Sequence, residues 1–143
     1  MPGDFEQLEV YRVAREFRKR VYKLAKLLPA FEQYGLASQM RDAAVSLTSN
    51  IAEGEGRWQY QEAIRFERIA RGSLNELLDQ INVCSDERYA DEAALADLRE
   101  HGYRVRQLID GYIRYVRRCK RTEKEGGKQS CQQGRERGVG SPD

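Results

Sequence analysis

The sequence contains few of the residues that build metal centres, disulfide frameworks and hydrolytic active sites. It has one histidine, His101, and three widely separated cysteines, Cys84, Cys119 and Cys131. One histidine is too few for the usual metal-ligand or nucleophile–base groupings, and the cysteines show neither C-x-x-C spacing nor an even number. We therefore expect reduced thiols, no bound metal, no cofactor and no enzymatic activity.

Long apolar runs are also missing from the sequence. No stretch approaches the ~20 residues that cross a bilayer, and the amino terminus lacks the basic start and apolar segment of a secretory signal. These absences predict a cytoplasmic protein without a transmembrane segment. No segment alternates apolar and polar residues at period two for long, so β-strands are not expected.

The chain of 143 residues is long enough for one domain with a single core, and its composition changes near Lys120. Residues 120–143 contain five glycines and almost no apolar side chains, so burial there cannot offset the entropy lost on ordering. We predict a globular domain over 1–119 and a disordered, Gly-rich and charged tail over 120–143.

Within residues 1–119, apolar side chains recur at steps of three and four, the periodicity of amphipathic helices. The pattern predicts one helix from Asp4, capped by its own carboxylate, to the residue before Pro29, and three more over 36–53, 59–85 and 91–119. The connections are too short to carry the chain back along a helix, so neighbouring helices must run antiparallel. The predicted fold is all-α, an antiparallel up-down-up-down four-helix bundle.

Basic residues concentrate in two places on this bundle. Seven cations face a single acid, Glu16, between positions 12 and 26, and a second basic run ends the fourth helix. Since these helices are predicted to be antiparallel, we expect the two runs to merge into one patch that binds nucleic-acid phosphates. The residues assigned to this patch are Arg12, Arg15, Arg18, Lys19, Lys23, Arg114, Arg117 and Arg118.

Aromatic residues near the cations extend this interpretation. Tyr11, Tyr22 and Tyr115 are candidates for stacking on unpaired bases. Trp58 is expected to close one end of the bundle, and His101 to be an ordinary surface residue. The competing interpretation is that the cations form a solvated surface, with acids collected at the junction of the third and fourth helices.

Small and hydroxyl side chains are unusually frequent over 39–54 and 68–77, in the second and third predicted helices. Such residues let helices approach closely, and Gly72 is expected to serve this purpose despite weakening its helix. In the contact, Ser49, Asn50 and Ser73 are expected to hydrogen-bond to one another.

Charged residues are expected to join the same two helices through an ion pair of Arg41 with Glu53 and Glu76. No nucleophile, metal-ligand set or phosphate-binding loop accompanies either glutamate. A structural role is therefore favoured over acid–base catalysis.

Together these two segments resemble a bacterial four-helix-bundle family named after proteins encoded in 23S rRNA intervening sequences. The likeness spans about residues 5–118. It is carried by the pattern Leu36-x-x-Gln39-x-Arg41-x-Ala43-Ala44-x-Ser46-x-x-x-Asn50-Ile51-Ala52-Glu53-Gly54, and by Phe66-x-x-Ile69-Ala70-x-Gly72-Ser73-Leu74-x-Glu76-Leu77. The resemblance implies fold-defining or subunit-contact roles, without catalysis, for Arg41, Asn50, Glu53, Gly54, Gly72, Ser73 and Glu76.

The resemblance also implies partners. It implies a cytoplasmic, ring-shaped homopentamer, similar in architecture to the accessory variability determinant of diversity-generating retroelements, which binds nucleic acid and a reverse transcriptase through its basic surface. Family membership of this kind defines a fold better than a task.

Three functions remain open from the sequence. The first is a non-enzymatic, oligomeric accessory protein that binds RNA or DNA through the basic patch. The second is a protein-interaction scaffold whose target is a polymerase such as a reverse transcriptase. The third, peripheral membrane binding through the first helix, is weakest, because the apolar stripe of that helix is needed for the core.

Overall fold

The computed structural model describes residues 4–124, which form four α-helices and two short 3-10 turns. No β-strand occurs within these residues. The helices are α1 (Glu9–Leu27), α2 (Leu36–Glu55), α3 (Tyr60–Asp86) and α4 (Glu92–Lys124). The predicted all-α, four-helix architecture is confirmed.

Contacts between neighbouring helices establish their directions. On α3 and α4, Arg71 contacts Asp110 at 2.6 Å, and Asn75 accepts a hydrogen bond from Arg106 at 3.2 Å. The residue numbers rise on one helix as they fall on the other, so α3 and α4 are antiparallel. The same reversal holds between α1 and α4, and the connections are short, as predicted for an up-down-up-down bundle.

The start of α1 differs from the prediction. A 3-10 turn over Phe5–Gln7 precedes the helix, which begins only at Glu9. Between them Leu8 is buried and takes an extended conformation with ψ of 131°, which interrupts the helix. The Asp4 side chain makes no capping hydrogen bond, so the predicted cap is wrong.

Pro29 determines where α1 ends and the corner between α1 and α2 begins. A residue before proline is disfavoured in the helical region, and Leu28 is extended with ψ of 153°, so α1 ends at Leu27. The Gln33 amide then donates to the carbonyl oxygens of Ala25 and Leu28 at 2.9 and 3.0 Å. These bonds give the Leu28 carbonyl a partner and add a second donor to the Ala25 carbonyl, which also accepts from the Leu28 N–H at 3.3 Å.

The carboxyl end of α4 corrects the predicted boundary of the tail. The helix continues through residues 120–124, which the composition assigns to the tail. Thr122 donates to the Arg118 carbonyl oxygen at 2.8 Å and the Glu123 side chain contacts α3, so this last turn belongs to the bundle. Residues 125–143, the rest of the predicted tail, lie outside the described residues.

One hydrophobic core runs through the four helices, and it contains nearly all of the predicted apolar stripes. Phe17, Met40, Leu74 and Ile109, one from each helix, have no exposed surface. Leu36 on α2 and Phe66 on α3 are only partly buried. On α3 the buried stripe passes through Ala63, Glu67 and Ala70, which turns the neighbouring Phe66 toward the edge of the core.

Candidate nucleic-acid interface

Five cations form a line along the solvent side of α1. They follow one another at steps of three, four, four and three, so they share one helix face, opposite the buried Val10, Phe17 and Val21. At 1.5 Å per residue, the line is about 21 Å long. We call it the α1 stripe; it consists of Arg12, Arg15, Lys19, Lys23 and Lys26, all of them exposed.

Most of the α1 stripe is not engaged in contacts within the bundle. Lys19 forms an ion pair with Glu16, with the two charged atoms 3.4 Å apart and both side chains more than half exposed. Arg12, Arg15, Lys23 and Lys26 make no ion pair or side-chain hydrogen bond within residues 4–124. These four charges are therefore available to an external anion.

The other two arginines of α1 point toward neighbouring helices. Arg18 donates a 2.7 Å hydrogen bond to the Thr48 hydroxyl on α2, so this predicted phosphate ligand has a structural partner. Arg20 is bound to Asp97 at 2.6 Å and to the ring of His101 at 3.0 Å on α4. Neither side chain belongs to the outward face of α1.

The predicted merging of the two basic runs is wrong. Glu9, in the first turn of α1, pairs with Arg104 at 3.2 Å, and Arg20 pairs with Asp97, which sets the stagger of α1 against α4. Arg114 and Arg118 lie ten and fourteen residues beyond Arg104, about 15 to 21 Å further along the axis. The basic end of α4 therefore projects past the start of α1 and forms a separate surface.

That projecting end of α4 packs against α2 and α3. The Tyr112 hydroxyl donates to Glu55 at 2.5 Å, and the Tyr60 hydroxyl donates to Glu123 at 2.5 Å. Arg114 and Arg117 lie between these two contacts in sequence and are exposed, whereas Arg118 is half-buried and engaged by a neighbour.

The three tyrosines proposed to stack on bases are packed against the core. Tyr11 makes an edge-to-face contact with Phe5 at 4.8 Å between ring centroids, and Tyr115 stacks on Tyr112 at 6.2 Å. Trp58 was predicted to close one end of the bundle, but its side chain is 67% exposed and does not do so. Helical periodicity could not predict this exposure, because Trp58 follows the glycines that end α2 and lies in the short connection to α3.

The predicted close contact between α2 and α3 is confirmed at Gly54 and at a serine pair. A Cβ atom on Gly54 would lie 2.6 Å from Glu67 Oε2 and 3.2 Å from the Ala63 carbonyl oxygen, so α3 approaches the α2 backbone directly. Further along, the Ser46 and Ser73 hydroxyls are 2.8 Å apart. Asn50 joins this pair through a 3.1 Å bond to Ser46 Oγ, whereas Ser49 is exposed.

The predicted ion pair of Arg41 with Glu53 and Glu76 does not form. Arg41 donates to the backbone carbonyl of Gln33 at 3.1 Å, so it holds the α1–α2 corner against α2. Glu53 forms an ion pair with Arg57, four residues later in the chain. Glu76 accepts a hydrogen bond from the side-chain amide of Gln80, one turn later on α3.

Gly72 also departs from its predicted role. It is exposed, and a Cβ atom built there would meet no heavy atom within 4 Å. Packing within this chain therefore does not require a glycine at position 72, in contrast to position 54.

Comparison with known proteins identifies a family. The model of the 23S rRNA-intervening sequence protein family matches residues 6–111. The chain belongs to this family. No curated protein matches it. The matched residues include the α1 stripe and the α2–α3 contact, whereas Arg114, Arg117 and Arg118 lie beyond them.

Two buried carboxylates of this family member were missed at the level of sequence. Glu67 is fully buried and Glu55 is 7% exposed, and both lie where α2 and α3 join. The signal for Glu67 was available, because it occupies the step between Ala63 and Ala70 in the apolar stripe. Glu55 follows the predicted end of its helix, so periodicity gave no reason to bury it.

His101 links α4 to α1 and is half-buried, contrary to the surface position predicted for it. Arginine is always a donor, so Nδ1 accepts from Arg20 at 3.0 Å, and Nε2–H donates to the Val13 carbonyl oxygen at 3.2 Å. Burial lowers the pKa of His101 and the Arg20 charge lowers it further, against opposing effects of the Val13 carbonyl, Asp97 and Glu16.

The metal-binding potential and the thiols of this 23S rRNA-intervening sequence family member can be described for residues 4–124. Residues 4–124 contain no cluster of three or more His, Cys, Asp or Glu side chains able to hold a metal ion. Burial, with a contribution from the Glu32 charge, raises the pKa of the Cys84 thiol to about 11, so this thiol is protonated at neutral pH. Cys119 is also buried. None of the helices in this region combines the length and apolar composition needed to span a bilayer.

Proposed function

We propose that this protein is a non-enzymatic RNA-binding protein and that the α1 stripe is its phosphate-binding surface. The observation that carries the proposal is the line of four exposed cations, Arg12, Arg15, Lys23 and Lys26, that have no partner within residues 4–124. A phosphate neutralised by Lys or Arg releases its condensed counterions, which favours binding at low salt. The 23S rRNA-intervening sequence family description supports RNA as the ligand.

Energetics also favour a functional origin for the α1 stripe. Arg15 and Lys19, and likewise Lys19 and Lys23, are like charges four residues apart, a spacing that destabilises a helix by about 0.2–0.5 kcal/mol per pair. Only Glu16 offsets this repulsion by a direct contact with the stripe. A polyanion bound along α1 would remove the repulsion.

The basic end of α4 provides a second point of attachment. Arg114 and Arg117 are exposed and lie about 15 to 20 Å beyond the level of Arg104. A nucleic acid that follows the α1 stripe past the amino end of α1 reaches this surface. The separation predicts that short oligonucleotides contact one surface and longer ones both.

The test is a titration of fluorescently labelled RNA with the full chain, followed by anisotropy over a series of salt concentrations. Arg12→Gln, Arg15→Gln and Lys23→Gln together should weaken binding and reduce the slope of log K against log salt by about 0.7 for each single-strand phosphate that is no longer neutralised. Lys23→Gln and Arg88→Gln each remove one positive charge. Arg88→Gln is the control, because Arg88 is exposed near the acidic α3–α4 junction and lies outside the α1 stripe. Salt-independent retention, or no binding at low salt, would refute the proposal.

We further propose that the protein assembles as a homo-oligomer, a pentamer on the family resemblance. Val45 on α2 and Ile69 on α3 are 43% and 41% exposed, and burial between copies would remove these apolar surfaces from water. Light scattering that gives the mass of a single chain at micromolar concentration would contradict this assembly.

A second candidate function, a scaffold that binds a protein such as a reverse transcriptase, is favoured by one observation. At the α1–α2 corner, Leu27, Phe31 and Tyr34 are 72%, 77% and 99% exposed. An apolar cluster of this kind on a rigid corner is typical of protein contacts. A pull-down that survives nuclease treatment and is abolished by Phe31→Ala and Tyr34→Ala would support it over RNA binding.

A further inference from the structure

We infer that the nucleic acid bound by this protein is single-stranded where it reaches the α2–α3 end of the bundle, and that an unpaired base there stacks on Trp58. The inference rests on the proposed function, which supplies the phosphate contacts, and adds the kind of strand recognised. Three features of the molecule support it: the exposure of the indole, the stiffness of its support and the charge around it.

Trp58 presents its ring to solvent from a short connection. Its side chain is 67% exposed, although indole is among the largest apolar groups that a core can bury. It lies in the four-residue connection from Gly56 to Gln59, between the end of α2 and the start of α3. A flat, exposed aromatic ring of this kind offers a face on which any base can stack.

The backbone beside Trp58 is held firmly by Arg57. The Arg57 guanidinium pairs with Glu53 at 3.1 Å and with Glu62 at 3.9 Å, which fastens the connection to both α2 and α3. It also lies over the Phe66 ring, 4.8 Å from the centroid. The indole is therefore presented from a fixed base, which reduces the entropy lost when a ligand orders it.

The register of the helices places exposed cations at this end. The Arg18–Thr48 contact joins antiparallel α1 and α2, so the amino end of α1, which carries Arg12, lies at the same end of the bundle as the carboxyl end of α2. On α4, the contacts of Tyr112 with α2 and of Glu123 with α3 bring the exposed Arg114 and Arg117 to the same end. Phosphates on either side of a base at Trp58 thus have cations within reach.

Four carboxylates of α2, α3 and α4 at this end are occupied by partners. Glu53 and Glu62 are paired with Arg57, Glu55 accepts the Tyr112 hydroxyl, and Glu123 accepts the Tyr60 hydroxyl. Their repulsion of a phosphate is reduced by these contacts. The exposed Arg114 and Arg117 therefore face less opposition from these carboxylates in binding a phosphate.

The opposite end of the bundle also has exposed aromatic rings, but acidic residues lie near them. Tyr34 is 99% exposed, but it lies at the α1–α2 corner, where the Glu32 carboxylate binds Tyr89 of the acidic α3–α4 junction. Asp86 and Glu87 are exposed near that junction. Lys26 of the α1 stripe is exposed at this end too, but acidic residues lie around the rings there, so the two ends differ in the carboxylates that surround their exposed aromatic residues.

Trp58 is the only tryptophan of the chain, so its emission reports on this site directly. The experiment titrates the full chain with a single-stranded RNA oligonucleotide and with a duplex of the same length, while tryptophan emission and anisotropy are recorded. We expect quenching of emission and tighter binding with the single strand. Trp58→Ala should weaken single-strand binding about 5- to 150-fold, from the 1–3 kcal/mol that a stacked base contributes.

Matched variants separate stacking from charge and from folding. Tyr34→Ala removes an even more exposed ring at the acidic end and should leave single-strand affinity unchanged, whereas Trp58→Phe should retain part of it. Circular dichroism verifies that each variant is folded. Equal affinity for single strand and duplex, with unchanged emission, would overturn the inference while salt-dependent binding still upheld the proposed function. Absence of binding to every oligonucleotide would overturn the proposed function itself.

Discussion

The contact between α2 and α3 and the outer face of α1 are governed by different constraints. At Gly54 the two helices are so close that a single added carbon would lie 2.6 Å from a carboxylate oxygen. On α1, by contrast, Arg12 and Lys23 point into solvent with no partner in the described bundle. Substitutions in the first region should therefore change the free energy of unfolding, and substitutions in the second should change binding.

The largest change in stability is expected from Gly54→Ala. The new methyl group must displace Glu67 and press on the Ala63 carbonyl oxygen at 3.2 Å. Overpacking of this kind costs about 1–3 kcal/mol, more than the ~1 kcal/mol by which alanine favours a helix. Urea denaturation followed by circular dichroism measures the difference. Unchanged stability would mean that the two helices separate at little cost.

Gly72→Ala sharpens the comparison because it makes the same chemical change on the partner helix. Position 72 has no heavy atom within 4 Å of a built Cβ, so only the helix preference remains, and a gain of up to about 1 kcal/mol is expected. The same denaturation experiment measures it at low protein concentration. A loss that grows with protein concentration would instead place a second subunit over Gly72.

The contact of His101 with α1 is intermediate between the α2–α3 contact and the outer face of α1, because the ring is partly buried and binds the charged Arg20. Its pKa is lowered in the folded protein, chiefly by burial, so the unfolded chain binds the proton more readily. Stability should be constant above pH 6.5 and fall as the pH drops below it, by less than about 1 kcal/mol because solvent screens a half-buried ring. Urea midpoints at pH 7.5 and 5.5 measure this loss.

The matched variant for this effect is His101→Gln. It lacks the titrating ring, so the difference between its two midpoints should be smaller than in the parent protein. An equal difference in both proteins would assign the pH dependence to the carboxylates of the bundle.

The sequence predicted what depends on local periodicity and failed where long-range geometry decides. The buried stripes and the antiparallel order follow from steps of three and four, and they are present in all four helices. The predicted alignment of the end of α4 with the start of α1 was wrong. The helix α4 is much longer than α1 and projects past it, so the basic residues at the end of α4 do not meet Arg12.

Side-chain partners were the least predictable feature of the α2–α3 region. Arg41 was predicted to pair with the carboxylates of Glu53 and Glu76. Its partner is instead the backbone carbonyl of Gln33, which comes within reach only when the α1–α2 corner folds. Ser73 was correctly placed in a polar contact, whereas its partner Ser46 was not identified. Helical periodicity gives the face of a residue, and the distance between helices then selects its neighbour.

The smallest change in stability, and the one that separates the two regions most sharply, is expected from Lys23→Gln. Lys23 has like charges at Lys19 and Lys26, one turn away on either side, and no partner in the described bundle. Removing its charge relieves repulsion of about 0.2–0.5 kcal/mol per pair, so the variant should be as stable as the parent or slightly more stable, most clearly at low salt. Urea denaturation at 20 and 500 mM salt, paired with the RNA titration, measures both consequences. A variant that gains stability and loses affinity shows that the cation is retained for its ligand; a loss of stability would instead reveal a structural role and would count against the α1 stripe as a binding surface.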